Sequence, residues 1–146
     1  MLRGSSLAKI DDKGRLKIPS NFRSLLEERF GPDLFVTSLN GEFVRLYPLP
    51  TWLDLEKKIA ALPSLEPAVQ RFLNVINYYG QTARMDRQGR VLIQPLLRER
   101  AQMSGEVAIL GQQRHLDVWN RSLFEARLKS SPFTEQDQQT LSALGL

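Results

Sequence analysis

The chain contains a copy of itself. Displaced by 75 positions, Ile10-Asp11-Asp12-Lys13-Gly14-Arg15-Leu16-Lys17-Ile18 lies over Met85-Asp86-Arg87-Gln88-Gly89-Arg90-Val91-Leu92-Ile93, and the match runs on to Phe22-Arg23 over Leu97-Arg98. Fourteen positions align with five identities and three apolar-for-apolar replacements; average composition gives about one identity. With small gaps the copy extends further. Leu34-Phe35-Val36 answers Val107-Ala108-Ile109, and Arg45-Leu46-Tyr47 followed by Trp52 answers Asp117-Val118-Trp119 followed by Phe124. Each copy must form the same unit, and a unit this small buries its apolar face only on its twin. At 146 residues the chain is one domain's worth, so the two halves are expected to pack about a pseudo-two-fold axis around a shared core.

Each copy opens on the same device. In Asp-x-x-Gly-Arg the Asp accepts local backbone hydrogen bonds and the Gly takes a positive φ, which makes Asp11 to Gly14 and Asp86 to Gly89 tight turns. A strand follows. Alternation sends Leu16 and Ile18 to the core and puts Arg15 and Lys17 on the other face; the second copy keeps Arg90 but has Leu92 for the second charge. A helix over Phe22, Leu25, Leu26 and Phe30 starts at Ser20 or Asn21 and ends at Gly31-Pro32, with Pro95 to Ala101 as its shorter counterpart. Gln94 stands where the first copy has Pro19, which predicts a looser start for the second helix. Strands over 34–37 and 42–47 join through Asn40-Gly41, a type I′ signal; 106–110 and 116–119 join through Gln112-Gln113.

Between the copies lies a helical insert. Thr51 with Asp54 reads as a cap for a helix striped by Trp52, Leu55, Ile59 and Leu62, stopped by Pro63. Ser64 opens a second helix carrying Leu65, Val69, Phe72, Ile76 and Tyr79 on one face. Phe72, Leu73 and Ile76 broaden that face beyond what one partner covers and are expected at a subunit contact. Two amphipathic helices, 121–129 and 134–144, close the chain. The organisation expected is a first repeat at 1–55, a helical connector at 56–82, a second repeat at 83–127 and a helical tail at 128–146.

Charge is segregated. The net +4 resolves into +7 over residues 1–23 and 84–100 together and −3 over the remaining 106 residues, the footprint of a surface for a polyanion. With no Cys there is no disulfide frame, thiolate metal site or Cys nucleophile. The lone His115 has no second His or Cys to make a metal set or a triad, and the glycines form no phosphate-binding fingerprint. Asp11 reads as a turn cap, and its basic neighbours lower carboxyl pKa values, against an acid catalyst. No active site, cofactor or metal is expected. No signal-type or membrane-spanning apolar run occurs either, so the expectation is a soluble, intracellular protein.

The repeated Asp-x-x-Gly-Arg turn leading into a strand and a helix resembles the AbrB-like swapped-hairpin domains. Two tandem copies, the opening Met1-Leu2-Arg3-Gly4, Asp11 to Pro19, Leu46-Tyr47-Pro48-Leu49-Pro50 with Trp52, and Asp86 to Ile93 are together similar to the MraZ family, over Met1 to about Arg127; Asn74 to Thr82 departs from that family's usual junction between helix and second half and reads as a small insertion. The resemblance implies an α+β fold, mainly a β double swapped-hairpin barrel of two pseudo-symmetric halves with a helical hairpin insert and C-terminal helices. It implies a cytoplasmic, nucleoid-associated transcriptional regulator that assembles as a ring, commonly of eight, and binds direct repeats in double-stranded promoter DNA of the division and cell-wall gene cluster. The family's Asp-x-x-x-Arg motif falls on Asp11 with Arg15 and on Asp86 with Arg90. The DNA contacts expected are Arg3, Lys9, Lys13, Arg15, Lys17, Arg87 and Arg90, with Asp11, Gly14, Asp86 and Gly89 structuring the turns.

Other readings stay open on the residues alone. Arg15 could brace its turn by pairing with Asp11. Arg23 and Arg98, on the helices, read as structural, pairing with Glu28, Glu99 or an adjacent subunit. The whole could be a scaffold for protein partners with incidental basic turns; RNA binding lacks an evident aromatic platform.

Overall fold

The computed structural model describes residues 1–146. Eight strands and six helices follow one another as β1 (Ser5–Ile10), β2 (Arg15–Lys17), α1 (Ser20–Arg29), β3 (Asp33–Thr37), β4 (Val44–Pro48), α2 (Leu49–Ala60), α3 (Pro67–Tyr79), β5 (Gln81–Arg84), β6 (Arg90–Leu92), α4 (Pro95–Arg100), β7 (Gly105–Gly111), β8 (Leu116–Asn120), α5 (Arg121–Ser130) and α6 (Glu135–Ala143). All strand pairings are antiparallel, in the order β5-β3-β4-β8-β7-β1-β2-β6. The turn between β5 and β6 brings the two ends of that order together, Asp86 N–H donating to the Arg90 carbonyl, so the sheet is a nearly closed barrel. No helix is long and apolar enough to cross a membrane.

The halves exchange strands. β1 pairs with β7, the third strand of the other copy, and β5 pairs with β3. Two pairings lie on the pseudo-two-fold axis itself: Leu16 faces Val91 across β2 and β6, and Arg45 faces Asp117 across β4 and β8. In each case the repeat aligns the two partners with one another. The fold is therefore the α+β double swapped-hairpin barrel expected. Its interior is one apolar cluster drawn from both copies, including Leu16, Ile18, Phe22 and Val36 from the first and Val91, Ile93, Leu97 and Ile109 from the second.

A second, smaller cluster lies outside the barrel. Phe35 stacks on Trp52 at 4.5 Å between ring centres, and Tyr47 and Ile76 complete it beneath α2 and α3. The second copy covers its outer face differently: Trp119 stacks on Phe43 at 4.7 Å, meets Phe124 of α5 and carries the Arg127 guanidinium over its ring. Helix α6 has a full capping box between Thr134 and Asp137, yet buries none of its residues.

Several local expectations are corrected. Only Gly41 of Asn40-Gly41 has a positive φ, so the link is no type I′ turn; Ser38 Oγ instead accepts from the backbone N–H groups of Asn40 and Gly41 across a six-residue connection. Thr51 caps nothing, because α2 starts at Leu49, two residues earlier, with Pro48 at its N-cap, and buries Thr51 in its first turn. Helix α3 starts at Pro67, not Ser64, and leaves Leu65 exposed. The second short helix starts no more loosely than the first. Gln94 has φ −60° and ψ 150° against −58° and 149° for Pro19, and its Nε2 donates to the Tyr79 carbonyl. Residues 74–79 complete helix α3, and Gly80 leads from it into β5.

Candidate nucleic-acid interface

The two turns are built alike, atom for atom. Asp11 Oδ1 accepts from the backbone N–H groups of Lys13 and Arg15 at 3.0 and 2.8 Å, and its carbonyl accepts from Gly14 N–H at 3.0 Å. Asp86 does the same for Gln88, Arg90 and Gly89 at 2.9, 2.9 and 3.0 Å. The second carboxylate oxygen holds the arginine: Asp11 Oδ2 to Arg15 Nε is 2.8 Å and Asp86 Oδ2 to Arg90 Nε is 2.9 Å. Hydrogen bonds from the arginine's own backbone N–H and then from its guanidinium keep both carboxyls below the usual aspartate range, against the opposing effect of desolvation. Each aspartate thus orients an arginine and stays ionised. The bracing geometry uses Nε alone, and Nη1 and Nη2 of Arg15 and Arg90 make no hydrogen bond within the chain.

Register then joins the turns on one ribbon. β2 and β6 pair with Leu16 and Val91 pointing into the core, so Arg15, Lys17, Arg90 and Leu92 share the outer face. Lys17 stands directly opposite Arg90, and Arg15, opposite Leu92, is the diagonal neighbour of Arg90, a spacing of about 7–8 Å. Like charges placed face to face across a strand pair destabilise it. Here Arg15 and Arg90 are each paired with their turn aspartate, which leaves Lys17 as the uncompensated charge on this face.

The other expected contacts sort by distance from this ribbon. Lys13 and Arg87 are exposed within the turns, and neither forms an ion pair. Lys9, exposed near the end of β1, faces Glu106, which pairs with Arg121 instead and leaves the lysine free. Arg3 lies at the far end of β1, about 20 Å of strand away, where Leu2 pairs with Gln113.

Arg23 and Arg98 make contacts that no sequence pattern foretold. Arg23 pairs with Glu27, not Glu28, through Nε at 2.8 Å, while its Nη2 donates to the Arg87 carbonyl in the second turn at 2.5 Å. Arg98 forms no ion pair with Glu99; its Nη1 lies against Gly14 of the first turn, and its buried Nε has no partner. The repeat aligns Arg23 with Arg98, but alignment alone does not reveal that each reaches across the axis.

Of the residues expected at a subunit contact, Ile76 is fully buried within the single chain, whereas Leu73 is 36 % exposed and Phe72 half-buried. With Trp52, Ile59, Leu62 and Val69, Leu73 lines an open groove of about 290 Å³ between α2 and α3. His115 packs its ring on Tyr47, with Nε2 3.6 Å from Asp117 Oδ1.

A barrel of two exchanged hairpins that sets one arginine turn from each half on a common ribbon defines the AbrB-like double swapped-hairpin class. A family described as "MraZ protein, putative antitoxin-like" matches residues 1–75 and 80–144, the break falling at the end of α3, inside the 74–82 stretch expected to depart from the family. The chain is 50 % identical over 147 residues to a protein of Koribacter versatilis and 42 % identical over 146 residues to one of Acidobacterium capsulatum, each alignment covering both chains in full. It is 34 % identical to one of Proteus mirabilis over 95 % of this chain and 92 % of that one. All three bear the name Transcriptional regulator MraZ. The chain belongs to the MraZ family.

Proposed function

We propose that this protein is a non-enzymatic transcriptional regulator, working in the cytoplasm at the nucleoid. As a ring of subunits it binds direct repeats in the promoter DNA of the division and cell-wall gene cluster. The observation that carries this reading is the ribbon: Lys17 directly opposite Arg90 with Arg15 on the diagonal, cations gathered on one face with the outer nitrogens of both guanidinium groups free for a polyanion. In the complex, Asp11 and Asp86 hold each guanidinium by Nε and leave the Nη fork for a phosphate or for guanine O6 and N7 in the major groove. Lys9, Lys13, Lys17 and Arg87 neutralise neighbouring phosphates, and Arg3 contacts the backbone farther along. The names of the relatives, Transcriptional regulator MraZ, support the regulatory part of this reading.

One ribbon makes few phosphate contacts and binds weakly in physiological salt. A ring presenting several ribbons to spaced repeats makes each later contact intramolecular, with avidity gains of about 10² to 10⁴ where the spacing fits. Assembly is part of the affinity. A gel-shift titration of Arg15→Ala against a duplex carrying the repeats upstream of the protein's own gene tests this. Binding should weaken strongly while the assembly stays intact, and unchanged binding would refute the assignment.

A further inference from the structure

The turns are closed locally but not located locally. Ile18 N–H donates to the Gly89 carbonyl at 2.9 Å and Ile93 N–H to the Gly14 carbonyl at 3.0 Å, so each turn is tied to the strand of the other half. Over each turn glycine lies the helix arginine of that same opposite half. A Cβ on Gly89 would come within 2.6 Å of Arg23 Cδ, and one on Gly14 would collide with Arg98 Nη1. The glycines thus serve twice, giving the positive φ (+83° at Gly14, +74° at Gly89) and the flat surface on which an arginine can lie.

The two contacts are unequal. Arg23 is anchored at both ends of its guanidinium, by Glu27 and by the Arg87 carbonyl. Arg98 covers Gly14 with no acceptor in the first turn and with its Nε unpartnered.

We propose that Arg23 and Arg98 are positioning residues that act in trans across the pseudo-axis, Arg23 fixing the Asp86–Arg90 turn firmly and Arg98 resting more loosely on the Asp11–Arg15 turn. They make no contact with DNA themselves; they hold the two arginine forks at one separation before DNA arrives, so that binding need not order them. This rests on the DNA-binding reading for its purpose, but the contact between halves can be tested without DNA.

Arg23→Ala, Arg23→Lys and Arg98→Ala are made in the full chain, and amide hydrogen exchange is followed at Gly14, Arg15, Gly89 and Arg90, whose N–H groups close the turns. Arg23→Ala should speed exchange at Gly89 and Arg90 by tenfold or more and leave Gly14 and Arg15 unchanged. Arg98→Ala should act on Gly14 and Arg15 alone, and less. Arg23→Lys, which keeps the stem over Gly89, should fall between wild type and Arg23→Ala; it also serves if the alanine variant does not fold. Faster exchange in the variant's own half, or equally in both, overturns the proposal. With the duplex from upstream of the gene, Arg23→Ala should lower affinity at least fivefold while leaving the slope of log affinity against log salt unchanged. A slope shallower by about 0.9 would make Arg23 a direct phosphate contact and overturn the positioning role. If the wild-type protein ignores the duplex, the DNA-binding reading fails and the exchange result still decides whether the arginines act across the axis.

Discussion

Arg45 and Asp117 meet on the pseudo-two-fold axis as a two-pronged ion pair, Nε to Oδ1 at 2.9 Å and Nη2 to Oδ2 at 3.3 Å, at positions the internal repeat makes equivalent. A perfect repeat would put the same charge on both sides of the axis. The copies have diverged so that one supplies the cation and the other the anion, which identifies the two halves as partners within one chain. Burial raises the Asp117 pKa, but His115 and Arg45 outweigh it and hold the carboxyl below the usual range.

Asp117→Asn should therefore cost about 3 kcal/mol, because Arg45, only 17 % exposed, is left without its counter-charge. Replacing both with apolar residues of similar volume should come close to neutral. Since the folded pKa of Asp117 is depressed, the stability it supplies is complete above the unfolded aspartate value, about 3.9, and is lost as pH falls through the folded value. Denaturant unfolding between neutral pH and pH 3 should show a shallower acid limb in Asp117→Asn than in wild type.

Gly14→Ala and Gly89→Ala should each destabilise by about 1–2 kcal/mol from the positive φ alone. They should lose more as Arg98 or Arg23 is pushed off. Thermal melts give the sum, and truncating the covering arginine in the same chain should recover the steric part only.

The apolar stripe of α3 holds one fully buried residue, Ile76, and one exposed one, Leu73, and the proposed subunit contact can fall only on the second. Ile76→Ala should cost about 2–5 kcal/mol, as a fully buried isoleucine does. Leu73→Glu should leave the melting temperature nearly unchanged and lower the assembly's mass, read by light scattering. A Leu73→Glu protein that keeps its full mass would move the subunit contact elsewhere.

Removing Arg15 or Arg90 should weaken binding to the upstream duplex and reduce the salt slope by about 0.9 for each phosphate no longer neutralised. Fluorescence anisotropy across a salt series measures both. Arg3→Ala should have the smaller effect, because Arg3 lies at the opposite end of β1 from the ribbon.

Much of this was legible in the chain because the signals are local. Alternation at Leu16 and Ile18 places Arg15 and Lys17 outside, Asp11 and Gly14 define the turn, and the repeat supplies the second copy. What escaped depends on distant partners. Nothing within Ser5 to Ile10 says that this strand pairs with residues 105–110. Thr51 has a cap's neighbours but lies inside a helix that two prolines start earlier. The reach of Arg23 to Arg87 crosses 64 positions and exists only because the hairpins are exchanged.

In the proposed function, tight binding needs several ribbons displayed together to spaced DNA boxes. Native mass spectrometry of the full chain, alone and with the duplex from upstream of its gene, measures this directly. The expected result is a closed oligomer that takes up one duplex, and an oligomer of the same size with little bound DNA for Arg15→Ala combined with Arg90→Ala. A monomer that leaves the duplex free at low salt would contradict it.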